Sequence, residues 1–162
     1  MTAKDAIRFL LKSNQTFLNQ YLADLSDTDL LIRPVPAANH IAWQLGHLIT
    51  GEVHAFLSKI PGANPPTLPP GFAEQHSKET STLEPPAGFS KKEEYLALFQ
   101  IIHQEIHTAL DKISEADLDK DSGWGAFAPT VGDLFLMIAD HEMMHIGQFT
   151  VVRRMLGKPV VF

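Results

Sequence analysis

The chain contains no cysteine, which excludes disulfides, thiolate zinc sites and cysteine nucleophiles. It is also short of positive charge. Thirteen Lys and Arg stand against nineteen Asp and Glu, for a formal net charge of −6. Nucleic-acid binding depends on clustered Lys and Arg to displace counterions, and the only basic doublets, Lys91-Lys92 and Arg153-Arg154, are too small to supply that. Lys4, Asp5, Arg8 and Lys12 interrupt the apolar residues of the amino-terminal stretch, so it reads as neither signal peptide nor membrane span. The expectation is a cytoplasmic protein with no nucleic-acid or membrane partner.

What is abundant is histidine. Eight occur in 162 residues, so any metal or acid/base chemistry falls on imidazole and carboxylate. With 44% hydrophobic and 20% charged residues the chain resembles an average globular one, and its length fits a single domain over residues 1–162.

Helix-like periodicity occurs in four segments, separated by stretches rich in Pro, Gly, Ser and Asp. The first runs from about Ala3 to Ala23, with Ile7, Leu10, Leu11, Phe17, Leu18 and Leu22 on one stripe. Ser26 and Asp29 then suit one capped short turn before Arg33-Pro34-Val35-Pro36 forbids further helix. A second helix is predicted after Asn39, ending at Pro61-Gly62. From Pro61 to Phe89 no period survives, and Pro-Pro pairs stiffen a long connection. Ser90 and Glu93 suit a capping box opening a third helix that runs to about Ile113, and Thr130 with Asp133 opens a fourth, stopped by Gly157-Lys158-Pro159. No segment alternates as a half-buried strand does. The reading is all-α: a four-helix bundle whose long crossover lets helices two and three run parallel.

On the fourth helix, Leu134, Ile138, His141, His145, Gln148 and Val152 fall within about 40° of one line at ~100° per residue. Histidines one turn apart have Cβ atoms about 5–6 Å apart, close enough for both imidazoles to reach one divalent ion. Asp140, Arg153 and Arg154 lie off that line, and Glu142 falls about 80° away, towards the flank. His103 and His107 on the third helix sit about 70° and 110° from the line through Phe99, Ile102, Ile106, Leu110 and Ile113, which reads as a solvated or boundary face.

The second helix offers the third ligand. His40, His47 and His54 recur every seven residues and share a face with Trp43, Gln44, Thr50, Gly51 and Ala55. Glu52 is the only formally charged residue between Asn39 and Ser58, so that face is expected to line a polar, uncharged cavity rather than to meet water. Two helical turns separate successive members by about 10.5 Å, so only one of the three can join a given ion. His47 is favoured by its central position and by the preceding Gly46, which is expected to permit close helix approach, with His54 next.

His141-Glu142-Met143-Met144-His145 also matches the H-E-x-x-H pattern of zinc metalloproteases, but no His, Asp or Glu follows in residues 146–162 to complete such a site. A different resemblance spans the chain. Leu30-Leu31-Ile32-Arg33-Pro34, Ile41-Ala42-Trp43-Gln44-Leu45-Gly46-His47-Leu48, His141-Glu142-Met143-Met144-His145-Ile146-Gly147-Gln148 and Arg153-Arg154-Met155-Leu156-Gly157 together resemble the DinB-like superfamily of metal-binding four-helix bundles. The resemblance implies an up-down-down-up bundle, frequent homodimers, and a divalent metal, commonly zinc or nickel, on His47, His141 and His145. Characterised relatives include metal-dependent transferases and isomerases that use low-molecular-weight thiols, and others are described as hydrolases.

Three neutral imidazoles leave an ion its full charge and an open position, as metal-dependent catalysis on a small-molecule substrate requires. Trp43, Gln44, His54 and Gln148 would then be pocket walls or supporting groups. The rival reading is a structural module in which the ion clips helix two to helix four, its last position closed by a carboxylate or a further histidine.

Overall fold

Thr2 opens α1 (Ala3–Leu22) by accepting from the Asp5 backbone N–H at 3.2 Å, while the Asp5 carboxylate accepts from the Thr2 N–H at 3.0 Å. In the computed structural model, which describes residues 1–161, this is the first of four long helices. The others are α2 (Ile41–Gly51), α4 (Lys92–Lys112) and α5 (Val131–Met155), and a short α3 (Phe72–Gln75) lies in the connection between α2 and α4. The architecture is an all-α bundle with the expected long crossover. The described residues contain one isolated β-bridge, between Asp121 and Thr130, and no strand. None of their helices is long and apolar enough to cross a membrane.

The apolar stripes meet in one continuous core. Ile7, Leu11, Leu18 and Leu22 of α1 lie against α4 and, most extensively, α5; α2 packs on both of those helices. The expected cap after α1 is present, with Ser26 Oγ accepting from Asp29 N–H at 3.2 Å. The α4 box is displaced by one residue: Lys91 N–H, rather than that of Ser90, donates to Glu94 Oε2 at 2.7 Å, and Asp27 accepts from Lys92 N–H at 2.8 Å. Thr130 and Asp133 form the predicted box on α5.

Two features depart from the sequence reading. The second helix does not run regularly to Pro61. After Gly51 it widens into a π-helical turn over Glu52–Phe56 and then tightens into a 3-10 turn over Leu57–Lys59. The aperiodic crossover also has a built interior. His76, left unassigned in the sequence, is buried, its Nδ1 donating to Phe72 O at 2.7 Å and its Nε2 paired with the Tyr95 hydroxyl at 2.8 Å. Arg33 ties the other end of the crossover down through Glu84 and the carbonyls of Ala38 and Leu83.

Gly46 is where crossover and bundle meet. A Cβ built there would lie 2.0 Å from His76 Cδ2, so glycine permits close approach of the His76 ring, not of a neighbouring helix as its place beside His47 suggested. Gly46→Ala should therefore destabilise the protein by about 1–3 kcal/mol through overpacking. Chemical denaturation checks this, and Gly46→Ala combined with His76→Ala should cost less than the two single losses added together.

Candidate metal centre

The buried face of α5 is rotated from the line drawn through its histidines. Val131, Leu134, Phe135, Ile138, Ala139, Glu142, His145, Ile146, Phe149, Val152 and Arg153 are all buried. At 100° per residue they span about 140°, with Glu142 near the middle and the Leu134–Val152 line at one edge. α5 packs chiefly on α1 and on α2 with the turn that follows it, so its buried arc is wide. Glu142 is therefore 1% exposed rather than on a flank, and Arg153 is buried, clamped onto Asp24 and the carbonyls of Tyr21 and Pro159. Gln148, expected on the core line, is exposed, and His141 is half-buried at the rim.

The heptad stripe on α2 divides the same way. His40 caps the helix, fully buried, its Nδ1 accepting from Trp43 N–H at 3.1 Å. His54 is exposed, bordering a cavity of about 530 Å³ under the proline-rich connection, so it does not line a bundle interior. His47 alone of the three meets α5.

There, one nitrogen each from His47, His141 and His145 lies within 4.8 Å of the others. Ring centroids are 5.2 Å apart for His47 and His141, 5.4 Å for His47 and His145, and 4.9 Å for His141 and His145. Neighbours set the orientation of the rings. The Trp43 indole stacks on His47 at 4.8 Å and 9°, and is anchored by its own N–H to Ser77 O at 3.0 Å. His145 Nδ1 donates to Gln44 Oε1 at 2.8 Å, and the Gln44 amide in turn donates to Asn39 O at 2.9 Å. That pairing places the proton of neutral His145 on Nδ1 and leaves Nε2 as the donor atom. His141 Nδ1 is buried without a hydrogen-bond partner.

Burial also keeps the rings neutral. It lowers the pKa of His145 to about 3 and of His141 to about 4, with the neighbouring histidines adding to both shifts, and it lowers that of His47 as well. A cluster of neutral imidazoles, one with a buried nitrogen lacking a partner and another held in tautomer by an amide, fits a divalent transition metal.

A second cluster was not anticipated. Glu52, His103 and Glu142 each place a ligand atom within 4.8 Å of the others, all three residues being buried. His103, read from sequence as a boundary residue, donates from Nε2 to Glu142 Oε1 at 2.5 Å, while His107 is half-buried. Burial, and then the Glu142 charge, raise the Glu52 pKa well above the ordinary carboxylate range. A signal for Glu52 was present in the sequence: it falls about 20° from Ile41, inside the arc of Ile41, Leu45, Leu48 and Ile49.

A family model described as the DinB superfamily matches residues 10–149. Among solved structures, the crystal structure of a conserved protein from Enterococcus faecalis shares 19% identity, covering 98% of this chain and 99% of that one at a TM-score of 0.69, a likeness of fold. No match is found among curated proteins.

Two outcomes test this geometry. Gln44→Leu removes the acceptor that orients His145 and should weaken Co²⁺ binding by about 10–100-fold in a visible-absorption titration, with the helical signal intact. Metal-free protein should lose stability as pH falls below about 6.5. The unfolded chain takes up protons there that His40, His141 and His145 refuse until about 4, 4 and 3, so the unfolded state binds more protons, and stability is level above that window. Each such ring removes up to about 1.4 kcal/mol per pH unit, which denaturant midpoints at pH 7.5, 6 and 5 will read.

Proposed function

The chain belongs to the DinB superfamily, and from that premise we propose that it is a metal-dependent enzyme acting on a small molecule, of the thiol-using transferase or isomerase type or a hydrolase. The observation that carries the reading is the make-up of the histidine cluster. Among the described residues, the group that gathers His47, His141 and His145 contains three imidazoles and no carboxylate. A structural clip would have its last position filled by the protein, and the nearby Glu52 and Glu142 are grouped instead with His103.

A divalent ion held by the three histidines, zinc or nickel as the family resemblance implies, would supply an electrophilic centre with a position left for substrate. The remaining work falls to the chain. Trp43 fixes the plane of His47, and Gln44 fixes the tautomer of His145, so the donor nitrogens converge before any ion arrives. Having no cysteine, the protein would take any thiol it uses from the substrate. Assembly as a homodimer, as is frequent in such bundles, belongs to the same proposal.

Protein purified without an affinity tag or added metal should carry a transition metal by elemental analysis. His145→Ala or His47→Ala should abolish the Co²⁺ spectrum, whereas His54→Ala should leave it unchanged. Low-molecular-weight thiols or small electrophiles should raise the melting temperature of the metal-loaded form more than that of the metal-free form. Equal shifts in both forms would sink the catalytic reading.

A further inference from the structure

The buried cluster of Glu52, His103 and Glu142 shares no ligand residue with the histidine site, which it adjoins. Its members come from three elements: Glu52 from the π-helical turn after α2, His103 from α4 and Glu142 from α5. Glu52 is 0% exposed, Glu142 1% and His103 4%. Apart from the approach of the Glu52 carboxyl to that of Glu142, both Glu52 oxygens, Glu142 Oε2 and His103 Nδ1 have no hydrogen-bond partner, although buried polar atoms are ordinarily satisfied. Two internal contacts, His103 to Glu142 and the Glu52 carboxyl to that of Glu142, leave part of the donor and acceptor capacity of the cluster unused.

We propose that Glu52, His103 and Glu142 form a second divalent-cation site, separate from the histidine cluster, for a hard or borderline ion such as Mn²⁺ or Fe²⁺. Two carboxylates and one imidazole offer oxygen-rich ligation, which suits those ions better than three imidazoles do. Carboxylates and imidazoles projecting inward from facing helices are how bundle cores hold such cations. The π-turn has a place in this reading: such turns within helices are frequent at functional sites, and this one begins at Glu52. Of the three, His103 borders a cavity of about 400 Å³ between α1 and α4, lined also by Gln15, Asn19 and Gln100. The two clusters use adjacent backbone. His141 precedes Glu142, and Gly51, whose added Cβ would lie 3.6 Å from His141 Cε1, precedes Glu52.

The test uses full-length protein stripped of metal and titrated with Mn²⁺ alone, followed by electron paramagnetic resonance. One tightly bound Mn²⁺ per chain is expected, coupled in pulsed spectra to a single imidazole nitrogen. Glu52→Gln, which keeps the shape but replaces a carboxylate oxygen by an amide that cannot ionise, should weaken that binding at least about 10-fold while leaving the Co²⁺ spectrum of the histidine cluster in place. His145→Ala should do the reverse, so each site fails independently of the other. Should Glu52→Gln not fold, Glu142→Gln and the wild-type pulsed spectrum carry the same information. Mn²⁺ that stays free in solution, couples to several imidazoles, or binds Glu52→Gln as tightly as wild type overturns the proposal. The last result would mean that the two carboxyls share a proton instead.

Discussion

The packing of α2 against α5 governs the centre of this protein, because it takes imidazoles and carboxylates out of water at one helix–helix contact. Buried polar groups impose a requirement that apolar ones do not: each needs a partner of matching chemistry and direction. Much of the surrounding structure meets that requirement. Gln44 reaches from α2 to hold His145, Trp43 stacks on His47, and His103 approaches from α4 to meet Glu142. Around them an uninterrupted apolar core of Leu, Ile and Phe supplies the stability against which these polar groups are held.

The crossover belongs to this arrangement, not to a separate surface loop. Trp43 is anchored by Ser77 and Thr80, and Gly46 gives its space to the His76 ring, so the segment after α2 folds back over the helix that carries His47. A long connection of this kind holds a side chain of the site in place from the outside, where a short loop would leave the indole free to turn. Position and orientation of His47 thus depend on residues about thirty positions further along the chain.

The bundle was legible because helices announce themselves by period and by caps, and Ser26 and Thr130 act where the sequence placed them. The histidines of α5 were legible because two imidazoles one turn apart on an apolar line each need a buried partner, and a single shared ion serves both. Their setting within the bundle was not. The line through Leu134 and Val152 is an edge of the buried arc, since α5 has more than one neighbour, and a single helix read alone gives no sign of how many will pack on it. The same ignorance put Glu142 on a flank and His103 at a boundary.

By itself the sequence determined the chemistry available: no thiolate, imidazoles in excess, four amphipathic segments, and a donor pair at helical spacing. Composition and local period suffice for that, because both act within a turn or two of helix. Only the tertiary structure decided which of His40, His47 and His54 meets α5, and that Glu52, His103 and Glu142 share one interior point. Those outcomes depend on rotation and crossing of helices distant in sequence, and on a π-turn that shifts the register of everything after Gly51.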